Sequence, residues 1–299
     1  VQIGISRPPT PPYPVPDVDA AVVARSAEAL GFESIFYGEH PIRPVGQAGM
    51  GVHADGVPFF QDTLVALARI SAVTSTIKFG GGVFLFPQHN PVQFAKELAS
   101  LDFYGGGRLL VGAGIGWSRV ECELLGGHWD RRWAQTRETA QIMRRLWTQD
   151  TATYDGDIYQ VPPVQMFPRP LSQPHPPILL GARPSERAFA RIVDFADGWL
   201  PALVTPEEMA AGPGTVEAGR RRLDELARDA GRDPASLQIT AIVRGPQVDG
   251  DTGAAGAVDR GLVEALGAAG ADRVLVSLPT LTSESDAEAA LGRIADAVL

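Results

Sequence analysis

The chain of 299 residues is 44% hydrophobic and carries a formal net charge of −9 at pH 7. Its length and apolar content suffice for a large core in one barrel-sized unit over residues 1–299, and its acidic balance argues against nucleic acid or an anionic membrane and for a small-molecule substrate. Cys122 is the single cysteine, so no internal disulfide or thiolate metal cage forms; with no basic-then-apolar leader and no apolar run near the roughly 18 residues of a membrane span, the sequence reads as cytoplasmic.

Val1 to Ile5 reads as a first strand, followed by a proline-rich segment from Pro8 to Pro16 that suits neither helix nor interior sheet. From Asp17 the pattern is helical, with Ala20, Val23, Ala27 and Leu30 on one face and Gly31 as the stop. Phe32 to Tyr37 forms a second strand ending in Gly38-Glu39-His40-Pro41, and Ile42 to Gln61 reads as a long loop over one end of the fold. Asp62 caps a helix that buries Leu64, Leu67 and Ala68, and a third strand from Thr76 runs through Gly80, Gly81 and Gly82 to Pro87. Asn90-Pro91 starts the helix that leads to Tyr104.

Gly105 to Gly107 form a tight turn, and Arg108 to Val111 is a short apolar run of the kind buried on both faces. Gly112, Gly114 and Gly116 then alternate with Ala113 and Ile115, leaving one side without Cβ atoms where a flat ring or sugar-phosphate approaches the backbone, with Trp117 at the rim. A dinucleotide fingerprint fits worse, because G-x-G-x-x-G needs a small residue where Trp117 stands. A helical piece to Leu125, the pair Arg131-Arg132, and a helix with Thr139, Ile142 and Leu146 come next. Thr151 to Pro177, with a turn at Asp155-Gly156, is an excursion from the main fold. Strands at Pro177–Gly181, Gly198–Pro201, Leu237–Val243 and Arg273–Ser277 then alternate with helices opened by Ser185-Glu186, over Thr215–Ala230, near Ala257–Ala269 and from Asp286. About eight strand–helix alternations at this length predict an α/β fold, a (β/α)₈ TIM barrel with insertion segments, whose active-site loops lie at the C-terminal strand ends.

On that fold Glu39, His40, Gly82, Val83, the Gly112–Trp117 stretch and Gly181 to Ser185 share one mouth. His40 can exchange a proton near neutral pH, with Glu39 orienting or charge-stabilising its ring. Gly181-Ala182-Arg183-Pro184-Ser185 joins a strand to a helix N-terminus, where free N–H groups and a guanidinium suit a phosphate, and Arg131 or Arg132 supplies a second positive group. The three consecutive arginines from Arg220 read as an exposed helix face. His53, His89, His128 and His175 show no metal-binding spacing, so no metal is expected.

Taken in order, GEH at Gly38 to His40, FPQHNP at Phe86 to Pro91, the stretch from Gly106 to Trp117, and ADGWLP at Ala196 to Pro201 resemble the luciferase-like monooxygenase superfamily, in particular its branch of F420-dependent oxidoreductases. The resemblance covers Ile3 to Pro201 well and the last hundred residues weakly. It implies a deazaflavin or isoalloxazine ring over strands three and four, a non-prolyl cis bond at Gly82–Val83, a histidine at His40 near the hydride-carrying face, and phosphate at Gly181 to Ser185 with Arg132. It further implies F420 as cofactor with FMN as the alternative, a separate cofactor-reducing enzyme, and a homodimer. Two departures stand out: Trp117 falls where some deazaflavin dehydrogenases have a glutamate acid, and Ala182 replaces a common glycine of the phosphate turn.

Overall fold

Short apolar runs and capped helices assemble into a closed parallel barrel in the computed structural model, which describes residues 1–7, 18–42, 44, 61–244 and 258–299. The proline-rich segment, most of the long loop after Ile42, His53 and the first residue of the alanine-rich helix lie outside the described residues. Strands β1 (Gln2–Arg7), β2 (Ser34–Tyr37), β3 (Lys78–Leu85) and β4 (Leu109–Gly114) alternate with helices α1 (Ala20–Leu30), α2 (Thr63–Val73) and α3 (Pro91–Tyr104). After α4 (Arg119–Leu124) and α5 (Arg132–Thr148), β5 (Ala152–Asp155) and β6 (Gln160–Val164) form a separate antiparallel hairpin, the expected excursion. Then come β7 (Ile178–Leu180), α6 (Glu186–Phe195), β8 (Gly198–Trp199), β9 (Ala202–Leu203), α7 (Pro206–Ala210) and α8 (Gly212–Asp229). The chain finishes with β10 (Gln238–Arg244), α9 (Arg260–Ala268), β11 (Arg273–Ser277) and α10 (Glu284–Val298).

The sheet order is β11-β1-β2-β3-β4-β7-β8-β10, all parallel, and β10 pairs with β11 to close the ring. β9 also pairs with β10, so β8 and β9 share the sixth of eight barrel positions, separated at Leu200-Pro201 where proline supplies no N–H to the ladder. Because every strand runs the same way, all C-terminal strand ends open on one face. This is the (β/α)₈ TIM-barrel fold the sequence predicts.

Local signals set the helix ends. Asp19, Asp62, Asn90 and Ser185 each cap a helix with a side-chain oxygen, and Gly31 ends α1 in the left-handed conformation at φ 91°. Two packing expectations change: Leu30 and Ala68 are exposed. The buried face of α2 is instead Thr63, Ala66, Leu67 and Ile70, an i, i+3, i+4, i+7 stripe that Ala68 does not join.

Alternation along each strand divides the core. Ile5, Ile35, Phe79, Val111 and Val274 pack outward under the helices, while Phe36, Leu110, Leu179, Leu200 and Leu275 form an inner cluster within the ring, joined by Val83 and Ile242. At the N-terminal end the interior is closed by Arg273, which is 2% exposed and bonds Glu33, Gln2 and Thr240. Burial of Glu33 opposes its ionisation, but the Arg273 guanidinium and Lys78 prevail and hold its carboxyl at about 2.

Candidate functional site

β2 delivers Glu39 and His40 to the mouth, with the carbonyl of Gly38 accepting from the Thr63 hydroxyl at 2.8 Å to tie this corner to α2. The two side chains then diverge. Buried Glu39 accepts from the Leu85 N–H at 2.6 Å and lies 3.0 Å from Nε2 of His89, whose ring stacks on Phe94. Glu39 therefore pins the end of β3, and the expectation that it orients His40 is corrected. Both residues lie just beyond the end of β2, and each side chain takes a different partner.

The carboxylate that engages His40 is Glu121, in the first turn of α4: its Oε2 is 2.9 Å from His40 Nδ1. On the other side of the ring, the Trp117 indole donates to His40 Nε2 at 2.9 Å, with ring centroids 5.3 Å apart. An indole N–H only donates, so Nε2 carries no proton in this arrangement and the neutral ring holds its proton on Nδ1, facing Glu121. Trp117 is thus at the rim as expected, and it is bonded to the histidine.

At the end of β3 the peptide bond Gly82–Val83 is cis, as the family resemblance implies, and the register against β4 shifts between Gly81 and Phe84. The neighbouring glycines exist for this bulge. A Cβ at Gly112 would lie 2.1 Å from the Gly81 carbonyl oxygen, and one at Gly181 would lie 2.8 Å from Val83 Cγ1. A Cβ at Gly114 would likewise meet Val83. The open side that the alternation was expected to offer a ring is therefore filled by β3 itself, and Val83 is the surface presented there. Gly116, at φ +71°, sits above this level beside the Gln88 amide. Both polar atoms of that amide are buried without a hydrogen-bond partner among the described residues.

The structure separates the two arginines. Arg131 is exposed and only 4.0 Å from Asp157. Arg132 turns inward, its guanidinium over the Trp129 ring at 3.2 Å and one N–H 3.4 Å from the Gly116 carbonyl, while its Nε is buried without a partner among the described residues. Burial pushes the Arg132 pKa down. At the turn between β7 and α6, the Ala182 carbonyl accepts from the Trp199 indole and the Ser185 hydroxyl oxygen accepts from the Ala188 N–H at 3.1 Å. The first N–H groups of α6, on Glu186 and Arg187, have no intrahelical acceptor. Arg183 points outward, 86% exposed and 3.6 Å from Glu208, so it does not converge on the turn.

His40, Trp117, Val83, Gly116 and Arg132 are brought to the mouth side, with Gly181 packed under Val83; Glu39 and Arg183 are not part of that group. Glu121 is the residue that the sequence pattern did not single out. A broad depression of about 1080 Å³ lies at the opposite, N-terminal end, where Asp197 is already paired with Arg144 and Arg232. Among the described residues no group of histidine, cysteine and acidic side chains could hold a metal, and no helix is long and apolar enough to cross a membrane.

A closed parallel barrel with an imidazole, a strand bulge and a helix N-terminus gathered at its C-terminal mouth defines a TIM-barrel oxidoreductase of the luciferase-like kind. The chain belongs to the luciferase-like monooxygenase family, whose model matches residues 7–259. It is 36% identical over 232 residues to the uncharacterized protein Rv0953c of Mycobacterium tuberculosis (strain ATCC 25618 / H37Rv), covering 75% of this chain and 79% of that one. It is 28% identical to an FMNH(2)-dependent dimethylsulfone monooxygenase of Pseudomonas putida, covering 73% of this chain and 54% of that protein. An F420-dependent secondary alcohol dehydrogenase, solved with an F420-acetone adduct, superposes with a TM-score of 0.75 at 16% identity, covering 98% and 97% of the two chains. At that identity the likeness is one of fold.

Proposed function

We propose that this protein is an F420-dependent oxidoreductase that exchanges a hydride between the deazaflavin and a small organic substrate. The observation that carries this reading is His40, whose Nε2 accepts from the Trp117 indole and whose Nδ1 faces Glu121, at the same mouth as the Val83 bulge and the α6 N-terminus. A hydride transfer to or from a hydroxyl-, amine- or carbonyl-bearing carbon moves a proton as well, and an imidazole in this state can take one up. The bulge offers Val83 as a backing surface for a flat ring, and the α6 N–H groups with Arg132 offer an anion the positive end that a phosphate needs. The cofactor supplies the hydride chemistry; the protein positions it, orients the substrate and handles the proton.

A second reading, an FMN-dependent monooxygenase fed by a separate cofactor-reducing enzyme, is favoured by the relationship to the dimethylsulfone monooxygenase. The homodimer and the cytoplasmic setting belong to the same proposal. Titration of the protein with F420 and separately with FMN, followed by fluorescence quenching, separates the readings. Preference for F420 with no oxygen uptake when the reduced cofactor is supplied supports the first. Preference for FMN with oxygen consumption transfers the assignment to the second, and binding of neither refutes both.

A further inference from the structure

We propose that Glu121 is the positioning residue of His40: it fixes the Nδ1–H tautomer, so that Nε2, beneath the Trp117 indole, is the nitrogen that exchanges a proton with substrate. The proposal deepens the hydride-transfer reading above and rests on it.

Ser118-Arg119-Val120-Glu121 has the spacing of a capping box, in which the acid at the third helical position turns back to the cap N–H. The chain contains a complete example, Thr205 with Glu208, where both halves of the exchange are made. At α4 only half is made: Ser118 accepts from the Glu121 N–H at 3.3 Å, and the Glu121 carboxylate goes instead to His40. That carboxylate is fully buried, with its second oxygen 3.4 Å from the Ile42 N–H. A buried acid withdrawn from its helix cap and aimed at an imidazole is the arrangement that sets which ring nitrogen holds the proton.

The other face of the ring agrees. Trp117 can only donate, so its bond to Nε2 is compatible with the Nδ1–H form and with no other neutral form. Proton uptake therefore falls on Nε2, and the resulting imidazolium is balanced by Glu121. With a bound cofactor to take the hydride from the substrate carbon, Nε2 would accept the substrate's O–H or N–H proton in the oxidising direction and return it in the reducing one. Nε2 has one lone pair, so the substrate must displace the indole N–H to reach it. Trp117 is half-buried at the rim, on the side of the ring from which a substrate would reach Nε2.

The test uses the cofactor-free protein labelled with ¹⁵N-histidine, at a pH where the imidazole is neutral, with His40→Gln identifying the resonances. The expected result is Nδ1–H in the wild type, retained in Glu121→Gln, whose amide oxygen still accepts, and lost in Glu121→Leu. Trp117→Phe should keep Nδ1–H while acylation of His40 by diethyl pyrocarbonate, read by peptide mass, rises about tenfold, the worth of one lost hydrogen bond. Nε2–H in the wild type, Nδ1–H surviving in Glu121→Leu, or unchanged acylation in Trp117→Phe overturns the proposal. Should the leucine variant fail to fold, the wild type, glutamine and phenylalanine proteins still decide it. Titration of the same wild-type sample with F420 and FMN keeps the two ideas apart: failure to bind either removes the hydride-transfer reading, whereas binding with the wrong tautomer removes only the role of Glu121.

Discussion

A Cβ atom on Gly114 would lie 2.3 Å from Cγ2 of Val83, closer than two carbons can approach. The glycine in β4 is thus the seat of the β3 bulge, and Gly114→Ala must push Val83 out of place. Overpacking of this kind costs about 1–3 kcal/mol, so the urea midpoint should fall, and cofactor affinity should fall with it because Val83 is the proposed backing surface. Adding Val83→Ala removes the clashing methyl and should restore most of the stability but not the affinity. Equal losses in the single and double variants would mean the two residues are not coupled.

Glu39→Ala tests the divergence of the two neighbours at the end of β2. The substitution leaves the Leu85 N–H and the His89 ring without their carboxylate, which should cost about 1–3 kcal/mol in unfolding free energy. The His40 tautomer, read by ¹⁵N shifts, should not change, because its acid partner is on α4. A tautomer change in this variant would return Glu39 to the role the sequence first suggests for it.

How far the sequence carries depends on whether a feature is local. The eight barrel positions are legible because a parallel strand is a short apolar run bounded by caps and glycines, and Asp62, Asn90 and Ser185 mark helix starts by chemistry that acts within three residues. The Thr205–Glu208 box was equally local and would have revealed α7. The Glu121–His40 pair is not legible this way, since 81 residues separate the partners and the sheet order β2-β3-β4 is what brings them together. Glu39 shows the converse: adjacency in sequence suggests contact, yet its carboxylate is taken by the Leu85 N–H and His89. The glycine alternation suggests a ligand at the backbone, but the group that approaches Gly112 and Gly114 is the neighbouring strand β3, and only the tertiary structure supplies that.

The Glu33–Arg273 pair predicts an acid limb in stability. The folded-state pKa of Glu33 is depressed from 4.5 to about 2, so its contribution is fully present above the ordinary carboxylate value and is lost as pH falls from about 4.5 toward 2. Unfolding free energy measured by urea across that window should decline in the wild type and decline less steeply in Glu33→Gln, with Glu28, also held at about 2, supplying the remaining slope. Arg273→Met, which leaves the acid with Lys78 as its remaining cationic partner at the closed end of the barrel, should cost about 1–3 kcal/mol at neutral pH. Parallel pH curves for wild type and Glu33→Gln would show that the pair does not titrate with folding.

Arg131 and Arg132 are adjacent and chemically identical, so only placement can tell them apart. Arg132 is half-buried, stacked on Trp129 and directed at the Gly116 carbonyl, with an Nε that has no partner among the described residues; Arg131 stands in solvent. A guanidinium already partly desolvated gains more from an anion than one that must be desolvated on binding, and ligand binding to the folded state raises the melting temperature by mass action. Added F420 or FMN should therefore stabilise Arg131→Met as much as the wild type, while Arg132→Met should lose affinity by about tenfold or more, the scale of a charge-assisted hydrogen bond, and lose part of its salt dependence. If Arg132→Met keeps its affinity and merely melts lower without ligand, the stack on Trp129 is a structural brace and the phosphate is held by the α6 N–H groups alone. A loss confined to Arg131→Met would place the anion on the outer face of α5 and move the whole cofactor site away from the Val83 bulge.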